Sequence, residues 1–106
     1  MKGFGGMQQF VKQAAQLQNK IKKAQEELAE RTFDGSASGG AVKVTVKGES
    51  QVTAVQIQED VFRSGDVELL QDMILTAVND ALKKSKETHT TEMEKLTGGL
   101  SMPGLF

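Results

Sequence analysis

The feature that most constrains the fold is a long heptad pattern near the start of the chain. Between Met7 and Leu28 the apolar residues recur at alternating steps of three and four, with no Pro or Gly between them. This repeat is that of a coiled-coil seam, which is narrower than the apolar stripe of an ordinary core-facing helix. The sequence therefore predicts a long helix that needs a partner along one seam, formed by Met7, Phe10, Ala14, Leu17, Ile21, Ala24 and Leu28.

Charge is unevenly distributed along this helix and the rest of the chain. The net charge of the 106 residues is −1, yet the stretch up to Gln25 holds five lysines and no acidic residue. Residues 66–106 hold four basic and seven acidic residues. Lysines on mobile stems neutralise phosphates, so the basic helix indicates an anionic partner. A merely solvated helix face is the simpler alternative for the same lysines.

After Arg31 the hydrophobic period changes from helical to alternating. Residues 32–38 predict a weak strand, and residues 41–47 (AVKVTVK) predict a clear strand with three valines on one face. Residues 52–58 predict a third strand after a tight turn. Asp66 fits a helix N-cap, and a second long helix is expected over residues 67–96. The chain of 106 residues is thus expected to form one α+β domain, α-β-β-β-α, with a three-stranded antiparallel sheet and two long projecting helices.

The two helices are expected to project together from the sheet as an antiparallel pair. Counting outwards from the sheet places Lys12 level with residues 84–86. Residues 1–6 and 98–106 are rich in glycine and are expected to be flexible. The seam of the first helix could pack either on the second helix or on a second subunit.

Several classes of function find no support in the sequence. Without cysteine, and with His89 as the only histidine, no metal site is expected. No arrangement of residues indicates catalysis, so neither an enzyme nor a cofactor or small-molecule substrate is expected. No apolar run approaches the roughly 20 residues of a membrane span. The N-terminus also lacks the apolar segment of a secretory signal, so a cytoplasmic protein with no membrane partner is expected.

Several segments in the same order resemble the YbaB/EbfC family of bacterial nucleoid-associated proteins. They are the glycine-rich start, the Gln- and Lys-rich heptad helix, GSASGGAVKVTVKG (residues 35–48), AVNDAL (residues 77–82) and the ending MPGLF. The resemblance covers residues 1–106. It implies a tweezer-like homodimer with projecting helical arms that binds double-stranded DNA, and a role in nucleoid organisation or gene regulation.

The resemblance also implies which residues contact DNA, because the family's contacts are attributed to the arms. The matching lysines are Lys12, Lys20, Lys22 and Lys23 on the first helix and Lys83, Lys84 and Lys86 on the second. A protein of this kind is expected in the cytoplasm, at the nucleoid. The alternative is a prefoldin-like holdase or protein-binding adaptor, which also combines two helices with a small β-element. A holdase needs exposed apolar arm ends, whereas the region around Lys12 is expected to be mostly polar.

Overall fold

The computed structural model of the protein describes residues 2–98, and side chains from residue 6 onwards. The chain forms an α+β fold in which two long helices flank a small sheet. In order, the elements are α1 (Lys2–Glu30), β1 (Thr32–Ala37), a 3₁₀ turn (Ser38–Gly40), β2 (Val42–Lys47), β3 (Gln51–Ile57), α2 (Glu59–Arg63) and α3 (Val67–Thr97). The predicted α+β class and antiparallel three-stranded sheet are confirmed.

The sheet has the order β1-β2-β3 with both pairs antiparallel. Val42, Val44 and Val46 alternate along β2 and are completely buried, as the period of two predicts. A bulge on β3 shifts the register, so that Val46 pairs with Val52 while Thr45 pairs with Ala54. The extra residue brings Val52 onto the valine face of the sheet. Plain alternation of the sequence could not place it there.

Helix α3 covers the valine face over β1 and β2. Its small residues Ala77 and Ala81 are completely buried against the sheet. A Cβ at Gly35 of β1 would overlap the backbone of both alanines, so only glycine lets the helix lie this close to the strand. Asp66 caps α3 as predicted, because its carboxylate accepts a hydrogen bond from the Leu69 N–H at 3.0 Å.

Beyond the sheet, the last turns of α3 pack on the second half of α1. Ile21 and Leu28 form a buried cluster with Met93, and Leu17, Ala24 and Leu96 pack against it. This half of the heptad seam is therefore filled within the protomer. Met7 and Phe10 are 67% and 72% exposed, and Ala14 is also exposed, so the first half of the seam has no partner among the described residues.

The register of the two helices differs from the expectation that Lys12 lies level with residues 84–86. Instead, Lys20 and Ala24 line one groove together with Glu92 and Leu96. The reason is that α3 first crosses the sheet, so only its last three turns reach α1. The first half of α1 then extends alone, and the molecule measures 78 × 20 × 18 Å with a radius of gyration of 20.5 Å. A compact chain of this length has about 13 Å.

The outer ends of the two long helices differ slightly from the ends that the sequence predicts. Helix α1 begins at Lys2, five residues earlier than predicted, because glycines lower helix stability without removing the backbone hydrogen-bond donors. Helix α3 ends at Thr97, and Gly98 adopts the left-handed conformation that commonly follows a helix, with its N–H bonded to the Glu94 carbonyl. The rest of the predicted flexible tail, residues 99–106, lies outside the described residues.

Replacing Ile21 with Asp should separate α1 from the end of α3. Ile21 is only 4% exposed, so the substitution places a carboxylate in an apolar contact and should cost roughly 2–5 kcal/mol of folding free energy. Thermal unfolding followed by circular dichroism measures the loss. The control is Gln18→Asp, which adds the same charge at an exposed position of α1. Equal stability and helicity of the two variants would contradict the packing of Ile21.

Candidate functional site

The first candidate surface is the lysine-bearing side of α1, part of which borders the groove with α3. Lys12, Lys20, Lys22 and Lys23 are all exposed, and none of them forms an ion pair with another described residue. Because α1 rises 1.5 Å per residue, the four side chains are spread over roughly 16 Å of the helix. Duplex DNA carries roughly ten phosphate charges over that length of its axis. This side of α1 can therefore meet several phosphates at once. We call these four lysines the arm lysines.

A second basic contribution comes from the end of α3. Lys95 lines the groove between the two helices together with Lys20 and Lys23, and it lies 3.3 Å from Glu92 in an exposed ion pair. Glu27 lines the same groove. The sequence-based prediction missed Lys95, because the three residues become neighbours only through the way α3 meets α1. No local signal marks it, since a lysine in the last turn is common on any helix.

The lysines predicted on the second helix lie nearer to the sheet than the arm lysines. Lys84 donates a hydrogen bond to the Asp34 carbonyl of β1 at 3.0 Å and pairs with Asp80 at 3.4 Å. Lys83 lies 4.0 Å from Glu87. Lys86 is exposed and forms no ion pair within the described part of the chain. The structure thus brings Lys20 and Lys23 together with Lys95 in one groove, whereas Lys84 is held at β1 by Asp34 and Asp80.

Asp80 joins α3 to the sheet through the same network. Its carboxylate accepts a hydrogen bond from the Ser36 N–H at 3.0 Å. This bond and the nearby Lys84 ammonium lower the pKa of Asp80 below its ordinary value. Lys84 is therefore engaged in holding the body of the protein together as well as carrying charge. Its ammonium is less free to meet a ligand than those of the arm lysines.

The second candidate surface is the part of the sheet that α3 leaves uncovered. All seven residues of β3 are exposed, although Val52, Val55 and Ile57 lie directly opposite the buried valines of β2 and share their face. These three apolar side chains are 45%, 47% and 36% exposed. On α3, Leu75 is also exposed, at 60%. We call the strip formed by Val52, Val55 and Ile57 the β3 face.

Other kinds of site receive no support from the described residues. Across residues 2–98, no three His, Cys, Asp or Glu side chains come close enough together to hold a metal ion. Within the same range, no helix is both long and apolar enough to cross a membrane.

Comparisons with known proteins agree over nearly the full length of the chain. Residues 2–100 match the model of the YbaB/EbfC DNA-binding family. A nucleoid-associated protein of Acetivibrio thermocellus is 48% identical, over 98% of this chain and 94% of its own length. One from Thermoanaerobacter pseudethanolicus is 45% identical, over 98% and 96%. The crystal structure of an uncharacterised Helicobacter pylori protein shares the fold, with a TM-score of 0.70 at 20% identity, covering 85% of this chain and 95% of that one.

Proposed function

The chain belongs to the YbaB/EbfC DNA-binding family, and on that basis we propose that it is a dimeric protein that binds duplex DNA through its basic helical arms. The observation that carries the proposal is the set of four exposed lysines along α1, none of which forms an ion pair with another residue in the range 2–98. Its role is in nucleoid organisation or gene regulation. The names of its relatives support a place at the nucleoid, in the cytoplasm.

The arm lysines suit contact with the DNA backbone rather than with base edges. An ammonium on a flexible stem is a point charge, whereas bases are commonly read by planar side chains that make two hydrogen bonds. We therefore propose that Lys12, Lys20, Lys22 and Lys23 contact phosphates, joined by Lys95 from α3. Lys83, Lys84 and Lys86 add to the positive field nearer the sheet. Binding of this kind depends weakly on DNA sequence.

The proposed dimer is supported by the β3 face. A sheet buries its apolar face under another layer, yet α3 covers only two of the three strands. The one other long helix, α1, projects away from the sheet to meet the end of α3. Helix α3 of a second copy would cover the β3 face. Under two-fold symmetry, α3 of the first copy would cover the β3 face of the second copy in the same way. Such a dimer carries two basic arms.

The proposed role is binding, without catalysis, a cofactor or a small-molecule substrate. Phosphate neutralisation and positioning of an arm need only charge and shape. The chain therefore acts by occupying DNA, and its effect on genes depends on where and how densely it binds.

A photo-crosslinking experiment tests where DNA lies. The chain contains no cysteine, so a photoactivatable label can be attached at one engineered position. Gln16→Cys places the label on the projecting part of α1, and Gln56→Cys places it on the exposed sheet. We expect crosslinks to duplex DNA from position 16 and none above background from position 56. Crosslinks from position 56 alone would contradict the proposal.

One observation favours the alternative of a holdase. The end of the arm is less polar than the sequence indicates, because Met7, Phe10 and Val11 are all more than 60% exposed. Exposed apolar arm ends are what binding to unfolded chains requires. Suppression of the aggregation of a denatured test protein by this chain, lost on Phe10→Gln, would support this function. It would not by itself exclude DNA binding.

A further inference from the structure

The groove between α1 and α3 contains carboxylates as well as lysines. Lys20, Lys23 and Lys95 line it together with Glu27 and Glu92, so three positive side chains stand beside two negative ones. We call this the helix groove. The proposed phosphate contacts use the three lysines and leave the two glutamates without a role.

Glu92 has a well-defined position in the helix groove. Its neighbour Met93 is only 2% exposed and packs with Ile21 and Leu28, which anchors this turn of α3 against α1. Glu92 and Lys95 form an ion pair of 3.3 Å, in which the side chain of Glu92 is 38% exposed and that of Lys95 is 67% exposed. The carboxylate is therefore the more enclosed partner, and the ammonium is the one that can turn towards a ligand.

We propose that Glu92 competes with DNA phosphates for Lys95 and thereby limits the affinity of the helix groove for DNA. The inference rests on the proposed binding of DNA by the arms. In the free protein the Lys95 ammonium pairs with the Glu92 carboxylate. In the complex it turns to a phosphate, so that the ion pair breaks and its free energy is subtracted from that of the new contact.

Lys95 is the lysine of the helix groove on which such competition can act. Within residues 2–98, Lys20 and Lys23 form no ion pair, whereas Lys95 does. An exposed pair of this kind contributes little to stability, so the exchange of one anion for another is readily made. Glu92 thus weakens one contact per subunit and leaves the others unchanged.

The competition also reduces the salt dependence of binding. A phosphate that meets Lys95 releases a condensed counterion. The Glu92 carboxylate, left without its partner, attracts a cation from solution and offsets that release. The contact made by Lys95 therefore adds less to the salt dependence than a contact made by Lys20 or Lys23.

The variant Glu92→Gln tests the proposal, since it removes the charge and keeps the size of the side chain. At about 50 mM salt its affinity for a labelled duplex should rise roughly 2- to 30-fold, because one exposed ion pair no longer has to break in each of two subunits. The slope of log affinity against log salt concentration should become steeper by about two per dimer. Fluorescence anisotropy measures both quantities, and circular dichroism checks that the fold is unchanged.

Glu94→Gln is the matched control. Glu94 is exposed and lies two residues away, just over half a turn of α3, so it points to the other side of the helix. The variant removes the same charge and should keep the wild-type affinity and slope. Equal gains in the two variants would overturn the proposal, because the gain would then reflect net charge alone.

A second comparison tests whether Glu92 acts through Lys95. In the Lys95→Ala background no ion pair has to break, so the gain from Glu92→Gln should be largely lost. A gain of the same size without Lys95 would overturn the competition.

The wild-type chain separates the failure of this inference from the failure of the proposed function. If wild-type affinity depends on salt and Glu92→Gln changes neither affinity nor slope, only the inference is overturned. If wild-type affinity is indifferent to salt, the phosphate contacts are overturned and the inference with them.

Discussion

Raising the salt concentration from about 50 mM to about 200 mM should weaken binding to duplex DNA by roughly 10³- to 10⁵-fold, if a dimer engages six to ten phosphates. Each lysine that meets a phosphate releases condensed counterions, and added salt opposes that release. The four arm lysines and Lys95 provide ten cations in a dimer, which is sufficient for this number of contacts. Fluorescence anisotropy with a labelled duplex measures the affinity at each salt concentration.

A control is needed because salt could also change the protein. Circular dichroism and solution mass should stay constant over the same range, since the core of the protein is apolar. The slope of log affinity against log salt concentration should also be similar for duplexes of unrelated sequence, because phosphate contacts carry no direct sequence information. An affinity that is indifferent to salt, with a constant mass, would exclude phosphate neutralisation by the arm.

Val55→Asp should abolish the dimer and with it most of the DNA affinity. Val55 lies on the β3 face and is 47% exposed in the protomer, so a carboxylate there remains solvated until a second copy covers it. The solution mass should fall from twice 11.5 kDa to 11.5 kDa. Loss of one of two linked arms should weaken DNA binding by roughly 10²- to 10⁴-fold. Analytical ultracentrifugation and anisotropy measure the two effects.

The neighbouring position on β3 offers a matched control. Gln56 pairs with Lys43 and points to the opposite face of the sheet. Gln56→Asp adds the same charge one residue away and should leave the mass and the affinity nearly unchanged. A Val55→Asp variant that keeps twice the protomer mass would show that the dimer does not form through this face.

Local patterns were sufficient to predict the two long helices and the three strands. Alternation identifies β2, because one side of that strand is buried and the other is not. An acidic residue just before a helical pattern of apolar residues identifies Asp66 as the N-cap of α3. The bulge opposite Val46 could not be predicted, since it depends on how two strands align rather than on either sequence. The start of α1 at Lys2 differs from the predicted one because glycine lowers helix stability without ending a helix.

The candidate site was predictable only where it depends on one helix. The arm lysines follow from a single acid-free stretch, and their exposure follows from the heptad pattern. The proximity of Lys95 to Lys20 depends on the length of α3 that the sheet occupies. The engagement of Lys84 by Asp34 and Asp80 depends on the same packing. Which lysines lie together therefore depends on how α3 packs on the sheet and on α1.

The salt dependence of the double variant Lys20→Ala/Lys23→Ala tests the role of the arm most directly. If both side chains meet phosphates in each subunit, the slope of log affinity against log salt should fall by about four per dimer. The control Lys43→Ala/Lys47→Ala removes the same charge from β2 and should keep the wild-type slope. An arm variant with the wild-type slope, or an equal loss in the control, would contradict phosphate binding by the arm.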